Sequence, residues 1–75
     1  MTSFDWHADP VGRDTPITPS YRATQNVRRF FRRECGDDFR FDRSFMAWMK
    51  AAALGQGNAR TMGEAADEWR RRQGR

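Results

Sequence analysis

The stretch 24–35, TQNVRRFFRREC, constrains this chain more than any other segment, because it sets four arginines and two phenylalanines into twelve positions. At about 100° per residue, Val27, Phe30, Phe31 and Cys35 fall on one face of a helix and Arg28, Arg29, Arg32 and Arg33 on the other. Such a segment holds its shape only if the rings go inward while the guanidinium groups stay wet. The rest of the chain must then supply an apolar surface to receive the stripe. Thr24 suits the N-cap, where its hydroxyl oxygen accepts a backbone N–H the helix leaves unpaired. Gly36 suits the left-handed stop. Glu34 is the exception near the apolar stripe and is placed at its edge.

Two more helices are predicted. Asp42 caps a second over residues 43–54, whose apolar set is Phe45, Met46, Trp48, Met49, Ala52 and Ala53, wide enough to face two neighbours. Gly55 and Gly57 end it. Thr61 and Glu64 form a capping box for a third, on which Met62, Ala65, Ala66 and Trp69 share a face. Between the first two helices, GDDFRFDRSF alternates so that Phe39 and Phe41 point inward. Residues 1–23 are irregular, with Pro10, Gly12, Pro16 and Pro19. Within them FDWH at 4–7 reads as a short extended stretch that TPIT at 15–18 pairs with across a loop. Thr18 and Pro19 resemble the start of a further helical turn. Phe4, Trp6, Ile17 and Tyr21 would pack this segment on the helices, with Trp6 partly exposed. The expected fold is mainly α, a three-helix small domain with an N-terminal extended segment or short β-hairpin. It is one domain over 1–75, with 1–3 and 72–75 frayed.

A chain of 75 residues buries only about 60% of the surface it exposes unfolded, so its stability is a few kcal/mol. Six Phe, three Trp and one Tyr compensate, since each buried aromatic removes roughly 150–250 Å² from water. The single cysteine, Cys35, excludes an internal disulfide and fits a reducing compartment. No apolar run approaches the ~20 residues that span a bilayer, and the N-terminus lacks the basic start and apolar stretch of a signal peptide. A cytoplasmic location and no membrane partner are expected.

The residues exclude more chemistry than they support. His7 and Cys35 are far apart in sequence, and no third group at helical or loop spacing orients either as base or nucleophile. DWHAD would put Asp5, His7 and Asp9 on one face of a strand, but an exposed charged segment is the better reading than a metal site lacking the usual ligand spacing. GQG at 55–57 lacks the Lys and Ser/Thr of a phosphate loop. No catalytic residue, cofactor or metal is expected, and the protein is not expected to be an enzyme. Cys35 reads as a small semi-buried apolar residue, because the helix C-terminus opposes a thiolate. Trp48 and Trp69 read as core.

The net charge of +4 is uneven: residues 1–21 carry −2, 22–35 carry +4, 36–58 balance, and 59–75 carry +2. The arginine face admits two readings, a solvated surface or a fork for phosphate oxygens, for which planar guanidinium outperforms lysine. On the second reading the chain is a non-enzymatic, nucleic-acid-associated module, DNA being favoured over RNA. Its candidate contacts are Gln25, Asn26, Arg28, Arg29, Arg32 and Arg33, helped by Arg70 and Arg71. The alternative is a protein–protein interaction or assembly domain, with exposed aromatics or the alanine face of the third helix meeting another chain.

TQNVRRFF, FRFDRSFMAWMK and TMGEAADEW together resemble the motifs of a small bacterial domain family of uncharacterised function, with a match running from Phe4 to Trp69. Relatives in that family sometimes sit beside a SAP-type DNA-binding module, so the resemblance implies a nucleic-acid context by association. It implies no catalytic residues. The GQGNAR link is longer than the one in the family pattern.

Overall fold

The three capping signals each start a helix. In the computed structural model, which describes residues 4–57 and 60–74, α1 spans Gln25–Cys35, α2 Arg43–Ala53 and α3 Met62–Arg72. Thr24 Oγ1 accepts the Val27 N–H at 3.2 Å. Gly36 closes α1 at φ 104°, donating its N–H to the Arg32 carbonyl. Asp42 Oδ1 accepts from Phe45 N at 2.7 Å. Thr61 Oγ1 accepts from Glu64 N at 3.3 Å, and Glu64 Oε1 in return accepts from the Thr61 hydroxyl at 3.2 Å and from the Arg60 N–H at 3.3 Å.

α1 packs directly on α3, and the seam is aromatic. Phe31 is fully buried and touches four rings: Phe39 stacked at 4.6 Å, Phe30 at 5.4 Å, Phe41 at 5.5 Å and Phe45 at 5.7 Å between centroids. Phe39 passes the contact on to Trp69 at 5.2 Å. Each such pair adds about 0.5–1.5 kcal/mol beyond area burial. Met62, Ala65 and Ala66 close the α3 side and are fully buried. The alanine face is therefore spent inside this chain and is not offered to another one, because close approach of α1 needs small residues there.

The N-terminal segment folds differently from the expected hairpin. Residues 4–9 form a turn, with Ala8 and Asp9 N–H both bonded to the Asp5 carbonyl. The aspartates cause it: Asp5 Oδ1 accepts from His7 N at 2.9 Å and Asp9 Oδ2 from Asp5 N at 2.8 Å, a local competition that defeats an extended strand. The alternation that would align Asp5, His7 and Asp9 on one strand face is absent with it. TPIT pairs instead with the residues before α3. Pro16 and Thr61 form an antiparallel bridge, flanked by Ile17 N to Arg60 O at 2.9 Å and Met62 N to Thr15 O at 2.8 Å. Pro16 occupies the position of that bridge that requires no N–H. Thr18 starts a single turn, closed by the Tyr21 N–H.

Trp6 is 3% exposed, not partly exposed as expected. Its ring sits edge-on to Phe4 and Tyr21, and its carbonyl accepts from Thr24 Oγ1 at 2.6 Å. Val11 is also buried, a core position that its Pro-Val-Gly surroundings did not mark. α3 runs through Arg72; the fraying expected for 1–3 and residue 75 lies outside the described residues. No helix among the described residues is long and apolar enough to cross a membrane.

Candidate nucleic-acid interface

Helical geometry turns one arc of α1 toward solvent. Arg28, Arg32, Gln25 and Arg29 follow one another around it, all exposed. The i±4 neighbours of Arg28 are Thr24 and Arg32, and those of Arg29 are Gln25 and Arg33, so the helix gives its own arginines no carboxylate. Among the described residues the ion pairs are Arg13–Glu34 at 2.6 Å, Arg13–Asp67 at 2.8 Å, Arg71–Glu68 at 2.8 Å and Arg72–Glu68 at 2.7 Å. None of these pairs among the described residues involves the α1 arginines.

Tertiary structure adds two arginines to this arc. Arg40, between the inward rings of the linker, joins Arg28 and Arg32 around a concavity of ≈ 220 Å³ walled by Phe39 and Phe41. The Arg28 guanidinium stands 5.7 Å over the Phe41 ring, which holds its planar fork in place. At the other end, Arg22, Arg29, Gln25 and His7 line a second concavity of ≈ 470 Å³ at the α1 N-terminus. The signal for Arg40 was present in FRF, where a polar residue between two inward rings must point outward; Arg22 carried none.

The remaining candidates are committed elsewhere. Asn26 Nδ2 donates to the carbonyls of Asp9 and Trp6, tying the N-terminal turn to α1. Arg33 Nη2 donates to the Val11 carbonyl at 3.1 Å and lies 6.0 Å over Phe30. Arg71 makes two parallel bonds to Glu68. Arg70 is exposed and near enough to Cys35 to oppose the rise of its pKa, at the opposite end of α1 from the Arg29 concavity. Cys35 itself is buried and donates to the Ala66 carbonyl at 3.5 Å; burial pushes its thiol up to about 11. Among the described residues no group of three or more His, Cys, Asp or Glu could hold a metal ion.

Glu68 supplies a pH prediction. Its hydrogen bonds from Arg71 and then Arg72 lower its carboxyl from 4.5 to about 2. A depressed folded pKa means that the unfolded chain binds the proton first, so the contribution is complete above pH 4.5 and lost as pH falls toward about 2. Glu68→Gln is expected to flatten the dependence of the melting temperature on pH within that window, to lower the melting temperature slightly above it, the pairs being at the surface, and to leave it unchanged below it. Thermal melts across the acid range check it; parallel slopes for the two proteins would mean the pairs do not persist in solution.

A different surface lies beside the arginine arc. An apolar groove of ≈ 430 Å³ runs between the 19–23 turn and α2, with Met46, Met49, Ala53, Leu54 and Phe41 among its walls. Met46 is 48% exposed and Leu54 56%. The placement of Met46 in the core is thereby corrected: α2 carries an apolar stripe wider than α1 and α3 cover, and Met46 sits on the uncovered edge. Trp48, also read as core, is only partly buried, stacked on Phe45 at 5.6 Å.

Three capped helices, a proline-rich strap that returns to α3, and one helix face of exposed arginine define a class of small α-helical domain. The chain belongs to the family described as a domain of unknown function, DUF6434, whose model matches residues 4–72. No curated protein and no solved structure matches the chain.

Proposed function

We propose that this domain is a non-enzymatic, nucleic-acid-associated module that grips phosphate through the α1 arginines, DNA in preference to RNA. One observation carries the reading: Arg28, Arg32 and Arg40 converge on a single concavity while every described carboxylate–arginine pair lies elsewhere. Evenly mixed surfaces neutralise such a cluster; this one leaves it to an outside anion. Arg29, with Gln25, extends the strip toward the helix N-terminus, where unpaired N–H groups also favour phosphate. The resemblance to domains found beside SAP-type modules agrees with it.

If Arg28, Arg29, Arg32 and Arg40 each meet a phosphate, log K against log salt on duplex DNA should fall with a slope of about −3.6, and about −2.8 on a single strand. Fluorescence anisotropy across a salt series measures both. The double reversal Arg28→Glu with Arg32→Glu should abolish binding and leave the circular dichroism spectrum unchanged, since both side chains are exposed. A flat salt response, or no binding to duplex DNA, single-stranded DNA or RNA at low salt, defeats the proposal.

A protein partner is the second reading, and the uncovered groove along α2 is the observation that favours it.

A further inference from the structure

We propose that the groove between the 19–23 turn and α2 is a docking surface for an amphipathic helix whose flanks carry carboxylates. The inference rests on the second reading above and names the chemistry of its partner. Met46 and Leu54 stand exposed at its edges, and Met49, Ala53 and Phe41 line it between them. From Met46 to Leu54 the α2 axis advances about 12 Å, the span of two turns of an incoming helix reading i, i+3 or i+4, and i+7 anchors. Methionine suits such a surface, because its unbranched, polarisable chain adapts to what it meets.

Charge selects among occupants. Arg22 and Lys50 are the ionisable side chains other than Tyr21 along the groove. The stretch from Thr15 to Arg33 contains no Asp or Glu, and neither does α2. Asp42, the last carboxylate before α2, is engaged in capping Phe45, and no Asp or Glu lines the groove. A second copy of this chain would set Arg22 and Lys50 against the same cations, whereas glutamates flanking an apolar stripe would meet both.

The test uses two synthetic helical peptides of equal length with the same leucine stripe, one flanked by glutamate and one by lysine, titrated against the whole chain by anisotropy and calorimetry. The glutamate peptide should bind, and the lysine peptide at least about tenfold more weakly. Met46→Glu and Leu54→Glu should each weaken the glutamate peptide by about tenfold or more with the fold intact by circular dichroism, because both side chains are exposed. Binding of neither peptide overturns the docking surface itself. Equal binding of both leaves a docking surface and overturns the acidic partner. Loss through Arg28→Glu with Arg32→Glu but not through Met46→Glu would put the peptide on the arginine arc and overturn the assignment to the groove. A concentration-dependent dimer in gel filtration that Met46→Glu dissolves would make a second copy the occupant and overturn the proposal as well.

Discussion

Phe31→Ala is expected to leave the domain largely unfolded. The ring is fully buried and is the one place where Phe30, Phe39, Phe41 and Phe45 all meet. Truncating a core phenylalanine to alanine costs about 3–5 kcal/mol in lost transfer energy and cavity. A domain of this size holds only a few kcal/mol in total, so the loss is comparable with the whole stability. Where folded protein survives, the melting temperature should fall by at least about 12 °C, at 4 °C or more for each kcal/mol. Phe41→Ala is the control: its ring touches the same centre but is only partly buried, and the loss should be smaller. Circular dichroism melts and urea titrations decide it. A Phe31→Ala protein melting within a few degrees of the parent would show that the seam does not organise the fold.

The second large effect is one whose sign is diagnostic. Gly63 lies in the first turn of α3, where helix propensity alone would favour alanine over glycine by about 1 kcal/mol. Tertiary structure predicts the reverse. A Cβ on Gly63 would stand 2.9 Å from both the Cβ and the carbonyl oxygen of Arg13, and the Gly63 N–H donates to that same carbonyl at 3.0 Å. The strap cannot move away freely, because Arg13 also bridges Glu34 on α1 and Asp67 on α3. Gly63→Ala should therefore destabilise, by about 1–3 kcal/mol for an overpacked contact, and Gly63→Val by more. Thermal and urea melts of the two variants give the sign directly. A stabilised Gly63→Ala would mean that the strap is not seated on α3 in solution.

The two variants also mark where reading the residues succeeds. Phe31 was identifiable as core because its position on α1 follows from spacing alone, and the arginine arc opposite it follows from the same spacing. Thr24, Asp42 and Thr61 each act on N–H groups within three residues, so their roles are visible locally. Gly63 and Arg13 are fifty residues apart in the chain, and neither carries a local sign of the other. Met46 sits at a spacing that suits burial; it is exposed because no other element reaches that edge of α2. Trp6 shows the opposite case, an ambiguous local context resolved by Thr24 and Asn26 bonding to its carbonyl.

Sequence alone therefore settled the three helices, their N-terminal caps and the side of α1 that stays wet, since caps and a 3.6-residue period act over one or two turns. Only the folded molecule decided that the N-terminal stretch turns back on its own aspartates, that Pro16 finds Thr61, and that Arg40 joins Arg28 and Arg32 while Arg71 is neutralised. Those outcomes depend on which distant groups come within about 3–4 Å of one another, and that is set by how three apolar stripes of unequal width close over a single ring cluster rather than by any residue's neighbours in the chain.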